Sequence, residues 1–153
     1  MDLVECAFVG PKATSAAREA WQCMADLLMS QEIQQRFLAA CEVADLPPPQ
    51  LKALLSFERG GAQSMRALAE VWHCDASWVT GIVDGLEERG YVQRQPHPTD
   101  RRVKVVVLTP LGDKAKARAL ERIYEPPAWF DALTPDEQVQ LRDLLVKVRP
   151  ARG

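Results

Sequence analysis

The stretch from Ser64 to Leu108 constrains this chain more than any other, because its apolar residues hold helical spacing through two short segments and then switch to alternation. Leu68, Ala69 and Trp72 share one face of a helix over Met65–Trp72, and Ser64 is placed to cap it. Val79, Ile82, Val83 and Leu86 form a second stripe on a helix that starts from Asp75 as N-cap, runs to Arg89 and stops at Gly90 in the left-handed conformation. His73-Cys74 leaves only a tight turn between the two, which is the spacing of a helix–turn–helix. Histidine is one of the residues that tolerate positive φ at such a turn. Tyr91–Gln95 and Val103–Val107 then read as two strands around Pro96–Arg102, a loop too polar for a core and unable to be helical. That loop is a hairpin tip, or wing.

The flanks are helical. Ala17, Trp21, Met24 and Leu28, followed by Ile33, Phe37 and Cys41, predict one long amphipathic helix from about Pro11 to Ala44, or two helices meeting near Ser30. Leu46-Pro47-Pro48-Pro49 breaks the pattern. A short helix follows over Pro49–Phe57 with Leu51, Leu54 and Leu55 inward, and Gly60-Gly61 closes it. Thr109-Pro110 opens a helix reaching about Ile123, and Thr134-Pro135-Asp136-Glu137 is a capping box for a last one. Val139, Leu141, Leu144, Leu145 and Val148 give that helix an apolar face. Core packing is the ordinary reading of such stripes, but terminal helices on a small domain ask for a partner to cover them, which predicts a dimer. The expected class is therefore mainly α with a small β-hairpin wing (α+β): a winged helix–turn–helix over 46–109, an N-terminal dimerisation region over 1–45, and C-terminal helices over 110–153.

Composition fits a soluble globular chain: 153 residues, 47% hydrophobic and 26% charged. No apolar run approaches the ~20 residues a bilayer requires. Met1–Pro11 carries Asp2 and Glu5 and lacks the basic start of a signal peptide, so the expected compartment is the cytoplasm. Cys6, Cys23, Cys41 and Cys74 are then expected as thiols, and no pair has the C-x-x-C spacing of a zinc site. No cofactor is indicated. With two histidines, no G-x-S-x-G or H-E-x-x-H motif and no phosphate-cradling glycine loop, an enzyme is not expected. Glu87-Glu88 reads as a helix-surface pair.

Net charge is −2, so a nucleic-acid partner would need local positive charge. The wing supplies it: Arg94, Arg101, Arg102 and Lys104 stand against Asp100 alone. A hairpin tip is narrow enough for a minor groove, where arginine is favoured. On the second helix of the motif, Ser77, Trp78, Thr80, Gly81 and Asp84 face away from the apolar stripe. Ser77 and Thr80 suit contacts to phosphates or base edges. Trp78 suits a groove or sugar contact, or is an exposed or partner-packed tryptophan. Asp84 would repel phosphate and is expected to point away or to form an internal ion pair.

The order of elements and three linked motifs resemble the MarR family of bacterial regulators. The motifs are Ser64–Glu70, Ser77–Val92, and Asp100-Arg101-Arg102 followed by Leu108-Thr109, the last matching the wing signature D-x-R-x-x-x-x-x-L-T. The resemblance implies a homodimer that binds a pseudo-palindromic operator in double-stranded DNA, with one helix per subunit in a major groove and each wing in the adjacent minor groove. It adds Ser64 and Arg66 to the DNA-binding set, makes Arg102 the groove-inserting residue and gives Asp100 the task of orienting it through an ion pair. It also implies repression relieved by a small-molecule effector or by thiol oxidation. Trp21, Phe37, Trp72, Trp129 and Phe130 offer aromatic surface for an effector, although such residues are more often core. Cys6 and Cys23 lie where hydroperoxide-sensing relatives carry theirs. Trp78 replaces a small polar residue of the family. Gly85 replaces a frequent basic one, costing about 1 kcal/mol of helix stability relative to alanine and removing a phosphate contact. Those departures leave open a winged-helix module that binds protein instead of DNA.

Overall fold

The computed structural model describes residues 14–97 and 99–149. Among them the order is α1 (Ser15–Leu28), α2 (Gln31–Ala44), α3 (Pro48–Ser56), β1 (Ala62–Ser64), α4 (Met65–Trp72), α5 (Ala76–Glu88), β2 (Val92–Pro96), β3 (Lys104–Leu108), α6 (Pro110–Tyr124), a 3-10 helix (Ala128–Ala132) and α7 (Pro135–Val148). The chain divides into two compact units, Met1–Gln35 and Arg36–Gly153.

In the first unit Thr14 caps α1, its hydroxyl accepting the Ala17 N–H at 3.1 Å. The helix stops at Leu28, and the Ser30 hydroxyl accepts the Ile33 N–H at the head of α2, so two helices meeting near Ser30 is the arrangement realised. No side chain of α1 is buried. Trp21, Leu27, Leu28 and Met29 all stand exposed.

The second unit is built on one apolar core. Leu51, Leu54 and Phe57 from α3 and its end meet Leu68 of α4, Val79, Val83 and Leu86 of α5, Val92 of β2 and Val106 of β3. Ala40, Cys41 and Ala44 of α2 and Ala115 and Ala119 of α6 belong to the same core. The unit starts at Arg36. The Tyr91 hydroxyl donates to the Ala44 carbonyl at 2.9 Å, a satisfied buried polar group that ties the strand entry to α2.

The sheet has three antiparallel strands in the order β1-β3-β2. β1 pairs Gln63 with Val106 and is absent from the sequence reading, because Ala-Gln-Ser has no alternation of its own and owes its extended form to β3. The strict alternation expected from Val103 to Val107 also fails. Val105 and Val106 are both buried: Val106 joins the helical core, and Val105 lies on the other face among Ala67, His97 and Val103.

Candidate nucleic-acid interface

The helix–turn–helix is held by local capping. The Ser64 hydroxyl accepts the Ala67 N–H at 3.1 Å. His73 adopts the left-handed conformation (φ 49°, ψ 46°) as C-cap of α4. Asp75 caps α5, accepting the Ser77 hydroxyl at 2.6 Å and the Trp78 N–H at 2.9 Å. Those two bonds, the hydroxyl first, hold the Asp75 carboxyl below its ordinary range. Val79, Ile82, Val83 and Leu86 are buried as expected, and Ser77, Trp78, Thr80, Gly81 and Asp84 are exposed.

Two hydroxyls expected to reach DNA have internal partners. Ser77 donates to Asp75, and Thr80 donates to the Ala76 carbonyl at 2.8 Å. Each keeps acceptor capacity only, unless it rotates. Arg66 is exposed and paired with Glu70 one turn on, at 3.1 Å. Gly85 is not part of the outward face. It is buried beneath Gln50, which covers the position where the family's basic residue would project.

Arg94 corrects the wing as read from sequence. Its guanidinium bonds Asp84 at 2.6 Å and also bonds Glu87, while its backbone N–H donates to Glu87 at 2.9 Å. Only 22% of the side chain is exposed. Arg94 is an internal strut between β2 and α5, neutralised by two carboxylates, where the sequence suggests a free cation. Asp84 makes the internal ion pair expected of it. Glu87, read as a mere surface residue, is the second anchor, and its carboxyl is held below its ordinary range, chiefly by the Arg94 N–H. Asp84 and Glu87 stand three apart on one helical face, and that spacing was the available signal.

At the wing tip, Asp100 accepts the backbone N–H of Arg102 at 3.1 Å. The expected ion pair between the two side chains is absent, because an aspartate at a turn captures the amide two residues on. Asp100 thus shapes the tip without holding the guanidinium. The turn closes through His97 N–H to the Val103 carbonyl (2.8 Å) and Val103 N–H to the Asp100 carbonyl (3.0 Å). Among the described residues Arg101, Arg102 and Lys104 have no acidic partner, and all three are exposed. Behind the hairpin, Thr109 accepts the Gly112 N–H and donates to the Gly90 carbonyl at 2.6 Å, fixing the exit of β3.

The remaining expectations divide. Phe37 and Trp72 pack on the core, Trp129 stacks on Phe130 at 4.7 Å, and Trp21 is exposed. Cys23 is exposed, Cys74 half-buried and Cys41 buried, all as free thiols; burial pushes the Cys41 thiol up. Cys6 lies outside the described residues. The apolar face expected on α7 exists, but no residue of that helix is buried.

A helix–turn–helix with a hairpin strutted against its second helix defines the winged helix–turn–helix class. The sequence comparisons take the assignment further. The MarR family model matches residues 46–104. The Bacillus subtilis transcriptional repressor MdtR is 29% identical over 140 residues, covering 88% of this chain and 90% of its own. The multiple antibiotic resistance protein MarR of Salmonella typhimurium is 31% identical over 112 residues, covering 69% of this chain and 75% of its own. A mutant E. coli MarR, solved in complex with operator DNA, superposes with a TM-score of 0.56 at 24% identity, over 90% of this chain and all of that one. The chain belongs to the MarR family.

Proposed function

We propose that this chain is a transcriptional regulator that binds a pseudo-palindromic DNA duplex as a homodimer, with α5 in a major groove and the wing tip in the neighbouring minor groove. The observation that carries this reading is the wing: Arg101, Arg102 and Lys104 are exposed cations without acidic partners among the described residues, on a hairpin strutted to the recognition helix through Arg94. Net charge of −2 is no obstacle when the positive charge is local. Family membership supports the DNA partner, and the name of MdtR supports repression. The exposed apolar side chains of α1 and α7 support the dimer, since Trp21, Leu28, Leu144 and Val148 each stand more than half exposed on a single chain. Relief by a small effector and work in the cytoplasm complete the reading, with no catalytic step.

Selection of bound duplexes from a random library, followed by titration at several salt concentrations, tests it. A symmetric site with half-sites about one helical turn apart and a steep salt dependence is expected. No enrichment at low salt would move the assignment to a protein-binding winged helix, the reading that the half-exposed Trp78 favours.

A further inference from the structure

The outward face of α5 is short of polar groups for reading bases. Ser77 and Thr80 direct their hydroxyl hydrogens to Asp75 and Ala76, Asp84 is bonded to Arg94, and Gly85 is covered by Gln50. What stands out is Trp78, 52% exposed on the first turn of the helix. Its indole N–H has no hydrogen-bond partner among the described residues, unlike that of Trp72, which donates to Ser56 at 3.0 Å. One turn further along the same face is Gly81, where an added Cβ would meet nothing within 4 Å. Trp78 is therefore a ridge and Gly81 a notch beside it. Between them and Pro47 and Pro49 runs an apolar groove of about 340 Å³.

An apolar notch on a DNA-reading face needs an apolar group in the major groove. The four base pairs offer there only the C5-methyl of thymine, which lies next to the O4 acceptor. Tryptophan carries one donor and a large apolar edge, so a single indole can meet both groups. We propose that Trp78 and Gly81 form a thymine-reading pair, in which the methyl packs into the notch against the indole and O4 accepts the indole N–H. The inference rests on the DNA-binding reading above and names the base that this part of the helix selects. It also gives the departure at Trp78 a purpose: a larger apolar reader where hydroxyl donors are internally satisfied.

The test uses the full chain and a duplex of the sequence most enriched from the random library, with each thymine replaced in turn by deoxyuridine. That change removes the methyl and leaves O4. One thymine per half-site should show a loss of about four-fold in affinity, the equivalent of one buried methyl group. Trp78→Ala should bind more weakly, be indifferent to that replacement, and lose the preference at that base pair alone when selection is repeated. Gly81→Leu, which fills the notch without touching the core, should likewise abolish the methyl effect, and thermal melts of both variants should match the parent. Tight binding by the parent chain with no thymine sensitivity, or an unchanged methyl effect in Trp78→Ala, overturns the pair while leaving the DNA-binding reading intact. Absence of any duplex binding overturns both.

Discussion

Gly112, in the first turn of α6, lies against the backbone carbonyl of Tyr91 so closely that an added Cβ would stand 2.0 Å from that oxygen. Neither partner can yield: Tyr91 is fixed by its bond to Ala44, and its carbonyl accepts the Thr109 N–H at 3.0 Å. Gly112→Ala is therefore expected to destabilise the fold by about 3 kcal/mol, the upper part of the range for overpacking. Urea denaturation followed by circular dichroism measures it, and a midpoint equal to that of the parent would show that α6 can slide.

Gly85 looks similar and should behave in the opposite way. A Cβ there would stand 2.1 Å from Nε2 of Gln50, but that atom is the far end of a flexible side chain. The oxygen of the same amide, Oε1, is buried without a partner among the described residues. Swinging the amide into water relieves both problems, and alanine adds about 1 kcal/mol of helix propensity. Gly85→Ala should raise the melting temperature, and a fall would mean that Gln50 is locked in place.

The two arginines of the wing should separate in their effects. Arg102→Ala is expected to weaken duplex binding and lower the salt slope by about one, with an unchanged melting temperature. Arg94→Ala should weaken binding as well, but by loosening β2 from α5, with a lower melting temperature and Asp84 and Glu87 left unpaired. Equal melting temperatures for the two variants would refute the strut.

Acid should act partly through Glu87. Its carboxyl is depressed below the ordinary value of 4.5 by the Arg94 N–H and guanidinium. A depressed carboxyl contributes stability that is complete above the unfolded-state value and is lost as pH falls through the folded-state value. The loss should begin below about pH 4.5, and Glu87→Gln should show a shallower acid limb between pH 7 and 3 than the parent. Parallel limbs would remove Glu87 from the acid response.

What the sequence made legible was local. Ser64, Asp75, Thr109 and Thr134 each cap a helix within three residues of their own position, so their patterns are complete in a short window. The stripe Val79–Leu86 is periodic and was equally plain. Contacts that span the chain were not. Arg94 reads as a free cation until β2 folds back on α5 and brings Asp84 and Glu87 to it from ten and seven residues away. Gln50 and Gly85 meet across two helices, and nothing in either segment announces the other. β1 exists only because β3 passes beside it. The wing's charge was legible in sum but not in assignment: of the four cations counted there, Arg94 faces inward, and the aspartate meant to hold Arg102 holds its backbone instead.

The bond from the Arg94 N–H to Glu87 has a consequence for how these molecules coexist at high concentration. β2 is an edge strand, and an open edge is a template for sheet growth from one molecule to the next. Amide groups alternate sides along a strand, so Arg94 and Pro96 share the side facing away from β3. Beyond the buried Val92, the Arg94 amide on that side is plugged by a carboxylate and Pro96 has no hydrogen to offer. From Arg94 to Pro96 the projecting edge therefore offers a stranger's strand no backbone donor.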